Sequence, residues 1–294
     1  MALDSLQEIR SHTEKSGRHV GDIVWWTLAD ARISRSHLES VWLAAGLSTA
    51  HLPEPPTPER ALRTAVREAQ VGRREHLVRL GKEDDRELVF AVMLETRDGT
   101  GDVTVVQEAR VRLDRVAPAR LDSDRPGHEL VAAISDAYDR LLNTHTVDDV
   151  RRAVLKTLDA CAAVTLRDHG GVYWVPSPHA QTLRRLKEAV SRIGTSRLDL
   201  VPIHESPEAT AALGHAARAS IEDEIRVLRT EIDGFICEPP GRASTLGRRL
   251  EAFEDLRAKA RLYESVLEVQ LQDLEASLNK LTLEVDDLLQ GKAA

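Results

Sequence analysis

Residues 267–288 read LEVQLQDLEASLNKLTLEVDDL, and the spacing within this stretch decides the architecture. Apolar residues fall at alternating steps of four and three: Leu267, Leu271, Leu274, Leu278, Leu281, Val285 and Leu288. Leucine returns at each seventh position, at Leu267, Leu274, Leu281 and Leu288. This is a heptad seam, a narrow apolar stripe that one helix buries against another. The spacing predicts a continuous helix from about Ser244 to Gln290.

A second long helix precedes it. Ser206-Pro207-Glu208 is a helix start, and Ile221, Ile225, Leu228, Ile232 and Phe235 continue at helical spacing. Glu238-Pro239-Pro240-Gly241 then breaks the chain. Two long helices joined by a short Pro/Gly turn are most simply an antiparallel helical hairpin, a coiled coil within one chain. At about 1.5 Å per residue the second helix would run roughly 70 Å and the first about 45 Å. The excess carries Leu278, Leu281, Val285 and Leu288, which need cover from the body, another protein or a second copy of the chain. The positions flanking the seam (Glu268, Gln270, Glu275, Ser277, Thr282 and Glu284) supply no pairwise attraction for a freestanding parallel zipper. Upstream, Arg248, Arg249, Arg257, Lys259 and Arg261 are interleaved with Leu250, Phe253, Leu256 and acids, so this is a packing helix and not the basic region of a zipper factor.

Composition narrows the classes. The 294 residues are 42% hydrophobic and 30% charged, enough for a packed core and more than one domain. A formal net charge of −8 argues against non-specific coating of nucleic acid. The two cysteines, Cys161 and Cys237, lie far apart and form no CxxC, as expected of reduced thiols in a cytoplasmic protein. The N-terminal residues MALDSLQEIRSHTEKS are charged and lack an apolar secretory core, and no apolar run is long enough to span a membrane.

From the N-terminus, residues 4–15 suit a short helix and His19 to Leu28 a strand rich in β-branched and aromatic residues. Ser34 should cap a helix carrying Leu38, Val41, Trp42 and Ala45, with Gly46 as its stop. After the proline-rich stretch 48–58, Thr57-Pro58-Glu59 opens a helix to Gly72, with Leu62, Ala65, Val66 and Ala69 on its inner side. Residues 76–80, 87–96 and 103–113 alternate as the strands of an antiparallel meander, and 115–127 reads as a linker. Trp25, Trp26 and Trp42 are expected to anchor a core.

The middle segment runs helix 128–143, helix 147–162 capped by Thr146, hairpin 163–175 around Asp168-His169-Gly170-Gly171, helix from Ser177, and strand 198–203. That order resembles a winged helix, with 147–162 as the recognition helix and 163–175 as the wing. Arg151, Arg152, Lys156 and Arg167 would then be the candidate nucleic-acid-binding residues. Asp148, Asp149 and Asp159 dilute that charge, so nucleic acid is the less favoured partner.

Catalytic signatures are lacking. The eleven histidines form no HExxH and no zinc-finger spacing, so no metal site is expected. Asp98-Gly99-Thr100-Gly101-Asp102 is a turn, since Thr104 and Val106 stand where a calcium loop needs further ligands. There is no GxxxxGK[ST], no GxGxxG and no GxSxG, so no cofactor and no enzyme activity is expected.

Three segments carry a resemblance: WWTLADARISRSHLESVWLAAGLSTAHLPEPPTPERALRTA at 25–65, HGGVYWVPSPHAQTLRRL at 169–186, and the long tail with its Pro/Gly break. Together they resemble an uncharacterised family met in bacteria, phages and mobile elements, the GGxYWVP hairpin being the most specific part. The resemblance implies no activity and transfers no site residue. It points to a role on a phage, mobile-element or defence locus.

The sequence therefore predicts an α+β protein of three parts: an N-terminal helix-plus-meander domain (1–120), a winged-helix-like domain (128–203) and a helical hairpin (206–290). The expected function is non-catalytic assembly or adaptor work through coiled-coil contacts, with Leu278, Leu281, Val285 and Leu288 as interaction residues. The alternative is a DNA-binding accessory protein using the middle domain.

Overall fold

The structure is a computed structural model that describes residues 17–29, 32–73, 75–97, 99, 101–117, 121–167, 171–237, 243–270, 276, 278–280 and 283. The proposed helix at 4–15 lies outside the described residues. The chain is a mixed α+β protein with antiparallel sheets and a C-terminal helical region. It divides into two compact units. One comprises residues up to 29, 42–51 and 153 onward; the other comprises 30–41 and 52–152. This division differs from the three consecutive segments that the sequence suggests, because each unit takes strands and helices from separate parts of the chain.

The 30–41/52–152 unit is built on β3 (His76–Glu83), β4 (Glu87–Arg97), β5 (Val103–Asp114) and β6 (Leu121–Ser123), an antiparallel meander in sequence order. The fourth strand falls in the stretch read as a linker; three residues without a strong period give no readable signal. Alternation does the rest. Ala109, Val111 and Leu113 of β5 are buried while Arg110 and Arg112 are exposed. The buried face packs against two helices, α2 (Pro58–Gln70) and α3 (Glu129–Asn143), through Leu62, Ala65, Val66, Leu130, Ile134 and Tyr138. As the residue types suggest, the Thr57 hydroxyl caps α2 by accepting Arg60 N–H at 3.3 Å, with Pro58 following. A short pair, β2 (Ile33–Ser34) with β7 (Thr144–His145), completes the unit. Two of the unit boundaries fall within α1 (Arg35–Ala44) and α4 (Val147–Asp159).

In the other unit, β8 (Val164–Thr165) and β9 (Tyr173–Pro176) pair as the GGxYWVP hairpin suggests, but they do not stand as a separate wing. β9 pairs with β1 (His19–Thr27), and β1 pairs with β10 (Arg197–His204), giving the antiparallel order β10-β1-β9-β8. The N-terminal strand is thus central to a sheet whose other strands come from far along the chain. Its apolar density fits a strand buried by neighbours on both edges. Helix α5 (Ala180–Ser191) buries Leu183, Leu186, Ala189 and Val190.

The C-terminal helices are α6 (Pro207–Cys237) and α7 (Ala243–Leu267). Their facing residues Leu213, Ala217, Ile221, Ile225 and Ile232, with Phe253, Leu256, Ala260 and Tyr263, share one core with Val20 and Trp174. Glu231 pairs with Arg249 at 3.0 Å and Glu224 with Lys259 at 2.6 Å, so partner numbers run in opposite senses along the two helices. Among the described residues no helix is long and apolar enough to cross a membrane.

The sequence predicts one helix over 244–290; the structure ends α7 at Leu267. Glu268 takes left-handed backbone, φ 53°, the usual device for stopping a helix. Arg18 holds that end in place. Its guanidinium donates to the Val266 carbonyl at 3.0 Å and pairs with Glu268 at 3.0 Å and Glu205 at 3.5 Å. These partners are remote in sequence, so a local period cannot report the break.

Candidate functional site

Leu278 is buried to 1% exposure in the core shared with α6 and α7. Beside it, Asn279 Oδ1 accepts from Arg257 Nη2 at 2.9 Å, so the chain comes back along α7 after the break at Glu268. Leu278 therefore has an internal partner. Leu281, Val285 and Leu288 lie outside the described residues. Leu283, which is described, is 65% exposed.

The four candidate nucleic-acid residues do not gather in one compact unit. Arg151 is paired with Asp148, and Arg152 with Asp149, each three residues back on α4. Lys156 and Arg167 are exposed and belong to the other unit. The buried end of α4 is organised by different residues. Arg35 donates to the carbonyls of Leu142 at 2.8 Å and Pro53 at 3.2 Å, and its Nη1 lies 3.2 Å from Nδ1 of the buried His145. Burial, then the Arg35 charge, lowers the His145 pKa.

The structure does bring together three residues that the sequence gives no reason to connect: His76, Glu108 and His128. Each is placed by a specific local feature. In the β4–β5 ladder Val92 pairs with Ala109 and Met93 with Gln107, leaving Glu108 unpaired in a bulge. Regular alternation would aim Glu108 away from the buried face that carries Ala109. The bulge re-aims it toward the helix side of the sheet. His76 opens β3 opposite Leu94. His128 is the N-cap of α3, its Nδ1 accepting Leu130 N–H at 3.2 Å.

Both rings turn Nε2 to the same carboxylate oxygen. His76 Nε2 is 3.2 Å and His128 Nε2 3.1 Å from Glu108 Oε2. The rings meet edge to face, with centroids 5.9 Å apart. All three side chains are half-buried. The hydrogen bond from His128, joined by that from His76, holds the Glu108 carboxyl below the usual carboxylate range against the opposing effect of burial. Beside them Arg73 pairs with Glu129 at 2.7 Å. Among the described residues, this is the one set of three metal-competent side chains with ligand atoms within 4.8 Å of one another.

Cys161 is buried, and burial pushes its thiol up to about 11, away from the reactive thiolate. A depression of about 670 Å³ on the meander is lined by Lys82, Glu87, Arg112 and Asp122. Lys82 is paired there with Glu87 at 2.5 Å, and Arg112 with Asp122 at 2.5 Å. These four charges are paired with one another.

No curated protein and no solved structure matches the chain. A family model does match it over residues 19–294, nearly its whole length, under the description "Family of unknown function (DUF6744)". The chain belongs to that family.

Proposed function

We propose that this is a non-catalytic assembly protein that associates through its C-terminal segment, with a second copy of the chain as the first partner to test. In this reading α6 and α7 form an antiparallel helical hairpin, and the tail after Glu268 presents a short coiled-coil seam. The observation that carries it is the fate of the heptad. Leu278 is the last described seam position with an internal partner, and the same spacing continues through Leu281, Val285 and Leu288. Leu283 beside them is exposed. An apolar stripe at heptad spacing is a contact surface for another helix.

The test is a chain ending at Lys280, which spares Leu278. Light scattering of the full chain should give a multiple of the 32.6 kDa mass, and truncation should return it to one chain. The nucleic-acid reading draws less support, because Arg151 and Arg152 already have carboxylate partners on their own helix. Retardation of duplex DNA at low salt that is lost on changing both arginines to Glu would restore it.

A further inference from the structure

We propose that His76, Glu108 and His128 bind a divalent transition-metal ion, with zinc as the type case, in a site that ties β3 and β5 to the start of α3. The donor set argues for this class of ion. Two imidazoles and one carboxylate suit zinc, cobalt or nickel, whereas calcium and magnesium take oxygen ligands.

The distances agree with it. Zinc bonds to nitrogen and oxygen are about 2.0–2.2 Å, so adjacent ligands in a tetrahedron lie about 3.3 Å apart. Two such edges are already present, His76 Nε2 to Glu108 Oε2 at 3.2 Å and His128 Nε2 to the same oxygen at 3.1 Å. The two imidazole ligand atoms also lie within 4.8 Å of each other. Three protein ligands leave a fourth position for water.

The backbone is arranged around these side chains. Glu108 reaches the rings through a bulge that gives up a ladder pairing, and His128 is fixed at a helix terminus. A strand, a bulge and the start of a helix carry the donors on three separate elements.

The hydrogen bonds say what changes on binding. His128 Nδ1 accepts Leu130 N–H, so in the metal-free protein the ring carries its proton on Nε2 and donates it to Glu108. Ligation through Nε2 moves each ring's proton to Nδ1. At His128 this breaks the cap hydrogen bond from the buried Leu130 N–H. The Leu130 amide is therefore a direct reporter of the ion, distinct from general stabilisation. This site does not depend on the assembly reading above.

The experiment uses the full chain stripped with a chelator. Zinc is titrated by calorimetry, and cobalt by its visible absorption band. The expected result is one saturable ion per chain, a shift of the Leu130 amide signal, and a higher melting temperature. Glu108→Gln keeps shape and removes the charge. His128→Ser keeps an N-cap and removes the ligand. His76→Gln removes the third. Each should weaken binding by more than about tenfold with an unchanged circular dichroism spectrum. The proposal is overturned if no saturable binding occurs. It is equally overturned if those folded variants bind as well as the parent, which would place the ion on other histidines.

Discussion

Ala162 and Glu268 hold left-handed backbone, φ 52° and 53°, just past the ends of α4 and α7. Such conformations favour glycine because the Cβ crowds the backbone. Ala162 is kept there by its surroundings. Its N–H donates to the Asp159 carbonyl at 2.9 Å, and its carbonyl accepts the Tyr263 hydroxyl at 2.9 Å. Replacing Ala162 by Gly should stabilise the protein by about 0.5–1 kcal/mol, read as a higher denaturation midpoint. An unchanged or lower midpoint would mean that the backbone there carries no strain.

His145 yields a pH prediction whose sign follows from burial. At 2% exposure, with the Arg35 guanidinium at 3.2 Å, Asp149 at 3.7 Å and Arg152 nearby, the folded ring resists protonation. The unfolded ring takes a proton near its ordinary value of about 6.5. Stability is therefore fully present above that value and falls as pH drops below it. Melting from pH 8 to pH 5 should decline more steeply for the parent than for His145→Gln, and equal slopes would remove His145 from the explanation.

At the scale of the element, β1 and α7 teach opposite lessons. The β1 strand is evident from its β-branched and aromatic residues, yet its two partners are not, because pairing with β9 and β10 is set by tertiary context. Gly21 shows how tight that context is. It lies at φ 151° in a bulged register, and a Cβ there would collide with the Val175 carbonyl and the Trp174 ring. Gly21→Ala should cost about 2–4 kcal/mol in chemical denaturation. A loss below 0.5 kcal/mol, far under that estimate, would show that the strand can shift to make room.

For α7 the heptad reading holds at its two described positions but mistakes how far the helix runs. Leu267 and Leu278 are both in the core, as seam positions should be, with the end of α7 at Glu268 between them. Periodicity reports a face; it cannot see Arg18 arriving from the other end of the sequence to cap Val266. The His76–Glu108–His128 cluster was illegible for the same reason. Its three positions span strand, bulge and cap, and only the Glu108 bulge, invisible to alternation, brings them together.

For the whole molecule, the mixed α+β class, an antiparallel meander and the helical C-terminus follow from composition, caps and periods. The partition of the chain does not. Segments that look like consecutive domains are interleaved, since β1 joins strands from beyond residue 170 and α3 packs on the meander. What this architecture leaves to test is the proposed C-terminal seam, of which Leu278 is the last described position. The most direct measurement is the solution mass of the full chain beside that of the chain ending at Lys280, by light scattering at matched concentration. Association through the tail predicts at least twice 32.6 kDa for the full chain and a single-chain mass after truncation, with helicity otherwise kept. A single-chain mass for both, or an oligomer that survives the truncation, would contradict it.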